Sequence, residues 1–134
     1  PFVLALRSDH PLASKKQIEW SDLEDVRLIT VSRDSGNRTL LDNALSAEGI
    51  HLNSFYEVQH LSTSLGLVES GLGVAILPRM TMPGPDHDTL CSRDLPEPRI
   101  QRSIGLVRSN THSLSSTAQL FIDLLLEHWV KEST

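Results

Sequence analysis

The sequence predicts an α/β fold built on a mainly parallel sheet, and three observations carry that expectation. Leu61–Pro78 reads as a helix fed through two glycines into a short, wholly apolar run, Val74–Leu77, the pattern of a strand buried on both faces. From Val26 onward the patterns alternate as strand, helix, strand, helix, strand, the grammar of a βαβαβ unit with right-handed crossovers. The 134 residues, 39% hydrophobic and 22% charged, suffice for one domain with a sizeable core.

In order along the chain, Phe2–Leu6 has strand length and character, and Arg7–Pro11 interrupts it, with His10 driven out of the helical region by Pro11. Ser21–Asp25 reads as one helical turn with a Ser21–Glu24 capping box and Trp20 just outside it. Val26–Val31 is the second strand, followed by the polar loop Ser32–Arg38. Thr39–Glu48 is amphipathic, with Leu40, Leu41, Ala44 and Leu45 on one side and Gly49 after it. Phe55–Val58 is the third strand.

In the stretch that follows, Leu61, Leu65 and Val68 share a helical face over Ser62–Ser70. Ser62, Thr63 and Ser64 offer hydroxyls where a helix start lacks acceptors. Gly71 suits the left-handed position after the last turn, with Leu72 folding back. Arg79–Pro98 holds four of the seven prolines and reads as loop, with a short strand near Leu90–Leu95. Ser103–Val107 reads as a further strand. Ser116 and Gln119 suggest a capping box for a last helix striped by Ala118, Phe121, Ile122, Leu125 and Trp129, an apolar face that needs a packing partner.

Several function classes are disfavoured. The net charge is −5 and the cations are scattered, so no basic stripe is offered to nucleic acid. No apolar run approaches the roughly 20 residues of a membrane span, and Pro1–Leu6 lacks the basic n-region and length of a secretion leader. Cys91 is alone, which excludes an intrachain disulfide and suits a reducing compartment. Gly71-Leu72-Gly73 fails as a dinucleotide fingerprint, because it follows a helix and Ile76 stands where a third glycine belongs. Asp86-His87-Asp88 implies no fourth metal ligand. No G-x-S-x-G elbow is present. The expectation is therefore no catalytic residue, no metal and no cofactor.

Two helix starts remain as candidate binding groups: Ser35, Gly36 and Asn37, and the Ser62–Thr63 pair. Both follow strands of a parallel sheet, so both belong at its C-terminal edge, where α/β folds bind ligands. Amide N–H groups and the positive end of the helix dipole favour an anion there, and Arg33 or Arg38 is placed to fork onto a carboxylate. The simpler reading is that these residues only cap their helices.

Leu65-Gly-Leu-Val-Glu-Ser-Gly-Leu-Gly-Val-Ala-Ile-Leu-Pro78, Asp9-His-Pro-Leu-Ala13 with Trp20–Leu23, and Arg102–Arg108 with Leu114–Phe121 occur in this order. Together they resemble the effector-binding domain of LysR-type transcriptional regulators over nearly the whole chain. The resemblance implies a type 2 periplasmic-binding-protein-like fold of two lobes, one complete and one partly present. Residues 1–8 would be a crossover strand from the first lobe, 9–100 the second lobe, and 101–134 the return strand and last helix of the first lobe. The winged helix-turn-helix that reads DNA would lie outside this chain.

It further implies a small, anionic effector bound between the lobes at Ser35, Gly36, Asn37, Ser62 and Thr63, beside which the loop itself offers Arg33 as an effector-binding candidate. Assembly into a homodimer or homotetramer and a cytoplasmic location without membrane contact follow from the same likeness. The principal rival is a transporter's solute-binding protein, which shares the two-lobed fold; an enzyme of related fold is the second.

Overall fold

The structure, a computed structural model, describes residues 1–132, with side chains through Trp129. Ser133 and Thr134, the end of the expected segment 101–134, lie outside the described residues. The chain divides into two units, Pro1–Ser103 and Ile104–Thr134.

The first unit is a five-stranded sheet: β1 (Phe2–Arg7), β2 (Leu28–Val31), β3 (Ser54–Val58), β4 (Val74–Pro78) and β5 (Leu90–Asp94), in the order β3-β2-β4-β1-β5. β2 runs parallel to β3 and β4, and β1 is antiparallel to β4 and β5. All of β4 and Phe2–Leu6 of β1 are buried, as their unbroken apolar runs require. The two principal helices are α1 (Gly36–Ala47) and α2 (Leu61–Glu69).

Strand periodicity assigns each helix its face. Phe2, Leu4, Leu6, Leu28, Val74 and Ile76 form one apolar layer with Leu41 and Leu45 of α1. Ala5, Ile29, Ala75, Leu77 and Leu90 form the other with Val68 of α2. Alternate residues of each strand thus serve opposite layers. On the α2 side Ala5 and Ala75 are registered partners, and their small side chains leave room for the helix.

Both helices end in the same device. Gly71, at φ +78°, donates its N–H to Val68 O, and Leu72 N–H reaches Leu67 O. Gly49, at φ +71°, and Ile50 do the same to Ser46 O and Leu45 O. This is the Schellman closure, for which a residue without Cβ is favoured. Gly73 has a different reason: a Cβ there would lie 2.1 Å from Arg27 O, whose carbonyl accepts Val74 N–H at 3.0 Å.

Helix boundaries moved by a residue or a few, and three local expectations are corrected. The turn expected at Ser21–Asp25 is a 3₁₀ helix at Trp20–Leu23. Its start is held by Asp22, whose carboxylate accepts Glu19 N–H at 2.8 Å, rather than by Ser21 and Glu24. Asp22 also takes Lys15 Nζ at 2.6 Å.

Ser103–Val107 forms no strand; a strand must pair its N–H and C=O groups, and Ile104 and Val107 are exposed instead. In the second unit the last helix, α3 (Ser116–Glu132), is started by Ser115, whose Oγ accepts Ala118 N–H. Gln119 side chain reaches forward to Asp123 Oδ1 rather than back to the cap. Leu120, Phe121, Leu124 and Leu126 of this helix are exposed.

Candidate functional site

The ends of parallel strands converge on one edge of the sheet. β2 stops at Val31 and β3 at Val58, side by side. Ser32 N–H donates to Val58 O at 2.8 Å, so the loop into α1 and the loop into α2 are tied together where they leave the sheet. β4 ends at the same edge with Pro78, and β1 begins there, because Phe2 is registered with Pro78.

Ser35, in extended conformation, precedes α1; its backbone N–H donates to Ser32 O and its carbonyl accepts Thr39 N–H. Its side chain makes no capping bond, and the first turn carries no acid. Gly36 opens the helix beneath unoccupied space: a Cβ there would meet nothing within 4 Å. Asn37 is half-buried and accepts Arg102 Nη1–H on Oδ1 at 2.9 Å.

At α2 the cap position is held by His60, not by a hydroxyl, and no side chain caps that helix either. The expected capping role of Ser62, Thr63 and Ser64 is therefore corrected. Ser62 and Thr63 sit inside the first turn with exposed side chains, whereas Ser64 is fully buried and its Oγ has no hydrogen-bond partner.

The two arginines expected to fork onto a carboxylate are placed differently. Arg38 is buried; its Nε meets both oxygens of Asp42 at 2.8 and 2.7 Å, and its Nη1 donates to Thr30 Oγ1 at 2.8 Å. That guanidinium fastens α1 to β2. Arg33 is exposed and borders a shallow depression of about 310 Å³ along α1, with Asp42, Ser46 and His51. That depression includes none of Asn37, Ser62 and Thr63.

The arginine that the structure brings to Asn37 is Arg102. The chain is anchored just before it by Phe2 N–H to Ile100 O at 2.9 Å. Besides Asn37, the guanidinium meets Met80 Sδ through Nη2 at 2.9 Å, and its buried Nε has no partner. Its two contacts are 65 and 22 residues away in the chain, so no local motif could have marked it. Nearby, Arg79 is paired with Asp94.

His87 of the Asp86-His87-Asp88 triplet is engaged locally. His87 accepts Thr89 and Leu90 N–H on Nδ1 and faces Glu69 at 3.9 Å. Among the described residues no three His, Cys, Asp or Glu side chains are grouped to hold a metal, and no helix is long and apolar enough to cross a membrane. His10, whose Nδ1 accepts Leu12 N–H, is held below its usual value by burial, against the opposing pull of Asp9.

The first unit is thus a mixed α/β sheet with α1 and α2 on opposite faces and, at one edge, two helix starts that no side chain caps. Residues 1–130 match the family model of the LysR substrate binding domain, and the chain belongs to that family. It is 45% identical over 98% of its length to the uncharacterized HTH-type transcriptional regulator YbhD of Escherichia coli (strain K12), and covers 42% of that protein. The effector binding domain of QuiR in complex with shikimate is similar in structure: TM-score 0.71, 26% identity, 97% of this chain and 61% of that one. The BenM effector binding domain with its effector benzoate gives 0.60 at 25% identity over 72% of this chain and 45% of that one. The mixed α/β fold thus matches that of LysR effector-binding domains, and the chain spans about two fifths of the YbhD length.

Proposed function

We propose that this chain is the greater part of the effector-sensing region of a LysR-type transcriptional regulator. A small metabolite binds at the sheet edge formed by Ser35–Asn37 and Ser62–Thr63, closed over by a first lobe encoded largely outside these residues. The observation that carries this reading is the bond from Ser32 N–H to Val58 O, which ties together, at one edge of the sheet, the loops into two helix starts that no side chain caps. Their amide groups and dipoles favour a negatively charged or strongly accepting ligand. The likeness to effector-binding domains in complex with shikimate and with benzoate supports the same ligand size and charge.

The mechanism needs no bond-making and no cofactor. A ligand that binds one lobe arrangement better than another shifts their populations by its difference in affinity, and in a dimer or tetramer that shift reaches DNA contacts made by a preceding winged helix-turn-helix. The regulator acts in the cytoplasm, without membrane contact. The family match disfavours the transporter solute-binding alternative.

The test uses the complete regulator, melted with and without a panel of small neutral and acidic metabolites. A binder present at 100 times its Kd stabilises the folded state by about 2.7 kcal/mol. Thr63→Val, Ser62→Ala and Asn37→Ala should reduce that shift and leave basal DNA binding intact. A shift that survives all three would reject this edge as the effector site.

A further inference from the structure

Among the arginines whose guanidinium contacts are described, Arg102 has an unusual set. Arg7 is paired with Asp9, Arg38 with Asp42 and Arg79 with Asp94. Arg93 donates to the carbonyl oxygens of Ala13, Lys15 and Lys16. Arg102 is half-buried, yet among the described residues no carboxylate lies within ion-pair distance of it. Its acceptors are the neutral Asn37 Oδ1 and Met80 Sδ, and its Nε is shut away from solvent without any partner. Desolvating part of a guanidinium without a counter-charge is unfavourable, and an oxyanion at the second N–H groups of Nη1 and Nη2 would supply that counter-charge. Asn37 sits in the first turn of α1, where no acidic residue and no capping side chain compete for that anion. Over Gly36 the space is open.

We propose that Arg102 reads the charge of the effector, its guanidinium holding a carboxylate, sulfate or phosphate oxygen against the first turn of α1, with Asn37 as the positioning residue that keeps the guanidinium turned there. This rests on the reading of the sheet edge as the site of an anionic effector and adds the residue that selects for that charge. A planar fork matches an oxyanion in two parallel hydrogen bonds, which a lysine ammonium cannot reproduce.

The experiment melts the complete regulator, wild type and variants, in sulfate, phosphate, benzoate and shikimate against chloride at matched ionic strength, with neutral metabolites as a parallel arm. At least one oxyanion should raise the wild-type Tm above that in chloride. Arg102→Gln should weaken its apparent affinity tenfold or more, and Arg102→Lys and Asn37→Ala should each weaken it less. Should Arg102→Gln fail to melt cooperatively, Arg102→Lys and Asn37→Ala carry the comparison, and an unchanged affinity in both overturns the proposal.

Retention of the oxyanion response in Arg102→Gln overturns it. Binding of neutral metabolites alone, sensitive to Thr63→Val, leaves the effector site standing and overturns the charge reading. A wild type indifferent to every oxyanion, with Arg102→Gln lowering the Tm of ligand-free protein, means that a carboxylate of the protein itself takes the place, and overturns it as well.

Discussion

The two ends of the sheet differ in how completely their polar groups are satisfied. At one end, where β2, β3 and β4 begin, both helices finish in Schellman turns at Gly49 and Gly71. There Arg7 donates from Nε and Nη2 to Asp9 and from Nη1 to Glu69 O, and its hydrogen bond holds the Asp9 carboxyl below its usual range. At the other end neither helix start is capped by a side chain, and among the described residues Arg102 meets neutral acceptors only. The closed end has its helix-end groups paired within the protein. The open end keeps donors in place at some cost in stability, as ligand sites commonly do.

This contrast can be broken most severely at Gly73. Gly73→Ala forces a Cβ against Arg27 O at 2.1 Å, and overpacking of that kind costs about 1–3 kcal/mol; denaturant unfolding should show it as a lower midpoint with unchanged slope. Gly71→Ala should cost about 1–2 kcal/mol, the penalty of a left-handed Cβ, since the φ there is +78°. A neutral result at Gly71 would mean that the closed end does not depend on its turn.

Stability should also fall with acidification. The folded-state pKa of His10 is lowered, so its contribution is present above about 6.5, the usual histidine value, and is lost as pH drops through the folded value. His10→Gln should therefore flatten the pH dependence of Tm in that range. The smallest effect belongs to the open end. Thr63→Val, at an exposed helix position, should alter stability by no more than about 0.5 kcal/mol, and a large loss would show that this residue supports the fold.

The closed end was the more legible in the sequence. Gly49 and Gly71 each follow an apolar helical pattern, and local chemistry decides where such helices stop. Helix starts were harder to read, because serine-rich stretches offer several hydroxyls and His60 holds the cap position without one. The Ser103–Val107 strand failed for a reason no local pattern contains: a strand exists only where a neighbour pairs with it. Arg38 carried a readable warning in Asp42, four residues on and one helical turn away. Arg102 carried none, since Asn37 and Met80 reach it only through the tertiary fold.

Amide hydrogen exchange on the complete regulator, with and without whichever metabolite raises its Tm, tests the central claim most directly. Ligand should slow exchange at Gly36–Arg38 and Leu61–Thr63 while leaving Arg7–Asp9 and Gly71–Gly73 unchanged. Protection confined to the closed end, or absent from both helix starts while ligand is bound, would contradict it.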